Sequence, residues 1–195
     1  ERGFRRMSAD TIRKRIALYG GSFNPPHICH LLTVTYALEC NFCDEVWLIP
    51  VFHHAFNKQS APYEVRHALC EALLEPFADR AQVCDIEREL GGVSRTIDTL
   101  EALQSRHPHC EFSLLMGSDL RAELPRWKES ERLQKLARII WIGRTGADPQ
   151  PGDTIILPDV SSTHVRELLR SGRDAGAFVP ARVLRKWEEL GKPEM

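Results

Sequence analysis

The sequence carries no excess charge of either sign, with 26 Lys and Arg against 27 Asp and Glu. No global field draws the chain to nucleic acid or to an anionic membrane, so any anion must be bound locally. No apolar run approaches the roughly 18 residues that a membrane span needs. The opening ERGFRRMSAD has no apolar leader core. A cytoplasmic protein is therefore expected, with residues 1–14 as an N-terminal tail and Met7 as the natural start. Both common glycine-rich phosphate loops, G-x-x-x-x-G-K-[ST] and G-x-G-x-x-G, are missing, so a nucleotide phosphate would have to be held by another device. Cys40-x-x-Cys43 has no second C-x-x-C or H-x₃₋₅-H pair to complete a finger-like zinc site. The six cysteines, in a long core-forming chain, are expected to be free and mostly buried thiols. Repeats and low-complexity segments are also missing.

What is present is alternation. Short β-rich runs recur as RIALYG, EVWLIPV, AQVCDI, EFSLLMG, ARIIWIG and TIILPDV. Several are nearly continuous apolar runs, the pattern of strands buried on both faces. Helical periodicity lies between them, over 28–40, 62–75 and 95–106, the last with Ser94 as the expected N-cap. Two more helices are predicted at the end, STHVRELLRSG and PARVLRKWEELG, each closed by glycine. Strand–helix alternation predicts an α/β, Rossmann-like, doubly wound parallel sheet, with a ligand at the carboxyl ends of its strands. The polar loop HHAFNKQSAP and the Pro/Gly-rich GRTGADPQPGD interrupt the pattern. The roughly 45 residues beyond the second are too few to fold alone. One domain over 15–195 is expected, with a small C-terminal helical extension.

The first strand runs into GGSFNPPHICH, residues 20–30. A strand end, two glycines and a helix start place His27 and His30 within one turn of exposed backbone N–H groups, which is an anion site. Gly20 and Gly21 would let main chain approach a ligand. The turn is expected to face solvent, so that His30→Ala would leave folding unchanged. Cys29, in the first helical turn, is expected to be a reactive thiol of lowered pKa.

GGSFNPPHICH resembles the G-G-[ST]-F-D-P-P-H-x-G-H signature of nicotinate mononucleotide adenylyltransferases, in the nucleotidyltransferase α/β phosphodiesterase superfamily. VSRTIDTL (93–100) is similar to the family's Y-T-x-x-T-[LV] helix start. LMGSDLRAELPRWKESERL (115–133) resembles its G-x-D … L-x-x-W segment. DVSSTHVRELL (159–169) resembles [IV]-S-S-T-x-[IV]-R, and FVPARVLRKWEELG its closing helix. The resemblance spans Ile16 to Gly191. Asn24 stands where the family has Asp, and Cys29 where it has Gly.

The resemblance implies transfer of the adenylyl group of ATP to nicotinate mononucleotide, giving deamido-NAD and pyrophosphate. It implies catalytic roles for His27, His30 and Arg166. ATP contacts would come from Gly20, Gly21, Ser22, Phe23, His27, His30, Asp119, Ser161, Ser162, Thr163 and Arg166. Lys58, Thr96 and Trp127 would bind the mononucleotide, through phosphate, backbone N–H and ring stacking respectively. Mg²⁺ would come with ATP, held by phosphate oxygens and water rather than by a protein cage. The expected partners are these two substrates, with neither nucleic acid nor membrane, and with homo-oligomerisation left open. Three other readings stay open: a pantetheine-phosphate adenylyltransferase-like enzyme, a non-catalytic adenine-nucleotide sensor damaged at Cys29, and zinc bound at Cys40 and Cys43.

Overall fold

The computed structural model of the chain describes residues 13–53, 60–93, 95–145 and 152–195. Six strands form one sheet: β1 (Lys14–Gly21), β2 (Glu45–Pro50), β3 (Ala81–Val83), β4 (Cys110–Gly117), β5 (Arg138–Arg144) and β6 (Asp153–Leu157). Their order is β3-β2-β1-β4-β5-β6, and every pairing is parallel. The predicted doubly wound sheet is therefore the observed one. Chain direction across the sheet reverses between β1 and β4, which opens a crevice at their carboxyl ends.

The near-continuous apolar runs are explained by two cores, one on each face. Along β1, Ala17 faces one core while Ile16 and Leu18 face the other. Val46 and Leu48 of β2 likewise oppose Trp47 and Ile49. Alternate side chains of a strand point to opposite faces, so a strand covered on both sides needs apolar residues at every position. The first core is covered by α1 (Ile28–Glu39), α2 (Tyr63–Leu74), α6 (Ser162–Arg170) and α7 (Ala181–Glu189). The second is covered by α3 (Ile86–Leu90), α4 (Thr96–Arg106) and α5 (Ser130–Leu136). The C-terminal helices are more than an appendage, because Val165, Leu168 and Val183 join the same core as Val34 and Leu69. Arg182 of α7 also donates to the Leu73 carbonyl at the end of α2, at 3.1 Å.

The differences from the sequence-based expectation are local. AQVCDI was expected as one strand, but β3 ends at Val83, and Ile86 already lies in α3. TIILPDV stops at Leu157, before Pro158, which has no N–H to continue a ladder. The N-cap of α4 is Arg95, without a side-chain cap bond; Ser94, the expected cap, lies outside the described residues.

Candidate active site

β1 ends at Gly21, and the chain reaches α1 through a short turn. Phe23 holds this turn with φ of 45°, the left-handed region that a side chain of this size rarely enters. Its ring is buried and packs edge-on to Tyr19 at 5.5 Å and to His30 at 5.0 Å between centroids. Gly21 accommodates that ring, since a Cβ there would lie 3.1 Å from Phe23 Cζ. Gly21 is thus required for packing, whatever its main chain contacts. Gly20 differs, because a Cβ there would meet nothing within 4 Å. Of the two glycines, Gly20 borders open space.

His27 is the N-cap of α1. Its Nδ1 accepts from Cys29 N–H at 3.3 Å, and His30 Nδ1 accepts from His27 N–H at 3.0 Å. The two histidines thus form a reciprocal cap of the kind usually made by Ser and Glu. A backbone N–H can only donate, so each Nδ1 is unprotonated and each neutral ring carries its proton on Nε2. The pair then offers two neutral N–H donors. The rings lie 3.8 Å apart between centroids. Burial pushes the His27 imidazole down to about 4, and the charge of Arg144 acts the same way. Burial also lowers His30 well below the usual range, helped by His27 and Arg144. At 1% and 9% exposed, His27 and His30 are buried, which corrects the expected solvent-facing turn.

The second helix start meets the same turn. Ser161 caps α6 by accepting from His164 N–H at 3.2 Å. Ser162 Oγ donates to the Pro25 carbonyl at 3.0 Å. The Arg166 guanidinium donates to the Asn24 carbonyl at 2.8 Å and to Thr163 Oγ1 at 3.0 Å. Segments some 140 positions apart in sequence are therefore joined by direct hydrogen bonds. Asn24 is buried, and its Oδ1 accepts from Ala61 N–H at 3.2 Å. An Asp carboxylate would accept the same bond, so the amide serves this contact equally well.

Cys29 corrects a further expectation. Its thiol is buried and donates to the Pro158 carbonyl, with sulfur and oxygen 3.4 Å apart. Burial raises its pKa, against the partly offsetting charge of Arg144. The expected lowering is therefore not found, and the thiol straps the first turn of α1 to the loop before α6. Cys40 is the exposed cysteine. Among the described residues, no group of three or more His, Cys, Asp or Glu is placed to hold a metal ion.

Asp119 is exposed in the short turn after β4, with Oδ1 3.8 Å from Arg144 Nε. Gly117 makes room for it, since a Cβ there would meet Asp119 Oδ1 at 2.3 Å. Thr96 opens α4, and Trp127 is half-buried after the turn Leu124–Arg126. The two segments are joined by Lys128 and Asp98, with Nζ to Oδ1 at 2.7 Å. Lys58 lies outside the described residues.

Two arginines had no part in the sequence-based site. Arg144 ends β5, and its charge acts on Tyr19, His27, Cys29 and His30. The available signal was positional: it stands at the carboxyl end of a strand, where such sheets bind ligands. Arg66 is 2% exposed and donates to the carbonyls of Ala61 at 2.9 Å, Ser22 at 2.9 Å and Val51 at 2.7 Å. It clamps the turn after β1 to both ends of the loop after β2. Its acceptors are main-chain oxygens, which no side-chain pattern discloses.

This strand order, with two helix N-termini joined to one turn beside the switch point between β1 and β4, places the chain among the doubly wound parallel α/β proteins. A cytidylyltransferase-like family model matches residues 18–168, and the chain belongs to that family. It is 45% identical over 175 residues to a probable nicotinate-nucleotide adenylyltransferase of Anaeromyxobacter dehalogenans, covering 88% of this chain and 92% of that protein. A Myxococcus xanthus protein of the same name is 42% identical over 179 residues, covering 91% and 93%. The fold is shared with the solved Plasmodium falciparum nicotinic acid mononucleotide adenylyltransferase complexed with NaAD, at a TM-score of 0.78 and 21% identity over 91% of this chain and 96% of that one.

Proposed function

We propose that the chain transfers the adenylyl group of ATP to nicotinate mononucleotide. The 5′-phosphate oxygen of the mononucleotide forms the new bond to the α-phosphorus. The bond from that phosphorus to the bridging oxygen breaks, and pyrophosphate leaves with its electron pair. The observation that carries this reading is the joining of the histidine turn to α6 by Ser162 and Arg166. The names of the relatives, each matched over about nine-tenths of its length, support the choice of substrates.

The attacking phosphate needs no general base, because its second pKa is about 6. Two polyanions must instead be aligned and their charge met. His27 and His30 donate through Nε2–H as neutral groups held in place before substrate arrives. They meet the developing charge without an acid–base step of their own. Arg166 uses two donors on the chain, and its guanidinium has others for the β- and γ-phosphates. Ser162 already gives its proton to Pro25, so the anion cradle at α6 rests on main-chain N–H groups, Thr163 and Arg166. Asp119 accepts from ribose hydroxyls, and Arg144 adds positive charge beside the histidines. Mg²⁺ would enter with ATP and would offset part of its phosphate charge. On the mononucleotide side, Trp127 stacks on the pyridine ring. The N–H groups of the first turn of α4, which lack a side-chain cap, receive its carboxylate. A carboxylate there gains charge-assisted bonds that an amide lacks, so the acid is the preferred substrate.

Pyrophosphate release with a panel of acceptors tests the reading. Release with nicotinate mononucleotide, faster than with its amide, is the expected result. Release with phosphopantetheine instead, or with no acceptor at all, overturns it.

A further inference from the structure

Glu87 is a buried carboxylate, 9% exposed, in the short helix α3. Its Oε2 accepts from Phe52 N–H at 3.2 Å, and its Oε1 accepts from the Thr99 hydroxyl at 3.3 Å. Neither partner belongs to α3. Phe52 is the second residue of the loop after β2, and its ring packs edge-on to Tyr63 at 5.2 Å. Thr99 is itself buried, one turn into α4 from Thr96, and its N–H bonds the Arg95 carbonyl that opens the helix. Burying a carboxylate is costly unless its oxygens are hydrogen-bonded, so these bonds fix the relative placement of the elements they join.

We infer that Glu87 is a positioning residue for the mononucleotide half of the site, an inference that rests on the function proposed above. By tying α4 to the loop after β2, it sets where the first-turn N–H groups of α4 stand. Those donors carry directional recognition of the pyridine carboxylate, so moving them weakens it. The ATP half is held by other bonds: Arg66 to Ser22, Ser162 to Pro25 and Arg166 to Asn24. Loosening Glu87 therefore disturbs one substrate and spares the other.

The test compares Glu87→Gln, Glu87→Ala and Thr99→Val in steady-state assays that vary each substrate separately. The Gln amide oxygen takes the Phe52 N–H while its NH₂ donates to the Thr99 hydroxyl, so these two bonds survive as neutral ones and KM within about threefold of wild type is expected. Ala removes both bonds, and Val removes one while keeping the shape of threonine. Both variants should raise KM for nicotinate mononucleotide about tenfold, the scale of one lost charge-assisted bond, with KM for ATP within about twofold of wild type. The preference for acid over amide should fall with them. If Glu87→Ala does not fold, Thr99→Val carries the comparison. Equal changes in both KM values, no change in either, or a Gln variant as impaired as Ala overturn the inference while wild-type turnover stands. A wild-type protein that does not use the mononucleotide overturns the proposed function instead, and this inference with it.

Discussion

His30 does two things at once, and its substitutions can separate them. Its Nδ1 accepts the His27 N–H, while its Nε2–H is a donor to phosphate. His30→Ala should lower kcat by about 10²–10⁴-fold, the scale of one lost transition-state donor. It should also lower stability by about 1 kcal/mol, the worth of a cap, with a further loss of packing against Phe23. His30→Asn restores an acceptor near the Nδ1 position without the Nε2 donor or the ring, so it should recover the cap's share of the thermal midpoint but not the turnover. A variant that recovers both, or a His30→Ala protein as stable as wild type, contradicts this division. The cysteines give a second reading at the same scale. Cys40 is exposed, whereas burial raises the pKa of Cys29 and Cys84, and that of Cys43 to about 11. Limited alkylation read by mass spectrometry should label Cys40 first and Cys29 among the last. Early labelling of Cys29 would mean that its bond to Pro158 is not kept. The histidine pair was legible in the sequence because its partners are local. The burial of Cys29 was not, since Pro158 lies 129 positions away.

At the scale of the element, the cap of α1 makes folding sensitive to pH. The folded protein keeps His27 neutral down to about 4, and His30 is lowered by the same desolvation. Unfolded histidine takes its proton near pH 6.5. Between about pH 6.5 and 4 the unfolded state binds more protons, so stability rises with pH and is lost as pH falls through that window. Thermal midpoints should be level above neutrality and drop below about pH 6.5. The drop should be smaller in a His27→Asn/His30→Asn double variant, which has nothing to titrate at these positions. An equal drop in the two proteins would mean that the slope belongs to other groups. The long helices were predicted to within a residue or two, because periodicity and glycine stops mark them. The five-residue α3 and seven-residue α5 left no such trace. Each is too short to build an amphipathic period, and α5 starts from Glu129 in a left-handed conformation that its sequence does not announce.

Across the whole molecule, doubly wound layering follows from central strands with nearly continuous apolar runs, and that much is legible in the amino-acid pattern alone. The placement of strands side by side is not, since right-handed crossovers permit more than one order. That order is what brings the carboxyl ends of β1, β4 and β5 together, and with them the histidine turn, Asp119 and Arg144. The second phosphate-binding helix was recognisable as a motif, yet only the folded chain shows it bonded to Asn24 and Pro25. Arg66 and Glu87 were silent for a common reason. Each serves elements distant in sequence through backbone atoms or a single hydroxyl, and neither sits in a pattern of its own.

The central claim is that this crevice directs the mononucleotide phosphate straight onto the α-phosphorus of ATP. ATP labelled in its α-phosphate, incubated with the purified protein, Mg²⁺ and nicotinate mononucleotide, tests it most directly. The label should pass into a dinucleotide, in step with pyrophosphate, and none should become attached to the protein when the mononucleotide is withheld. Label that stays in ATP, passes to free AMP, or is recovered on the protein would contradict it.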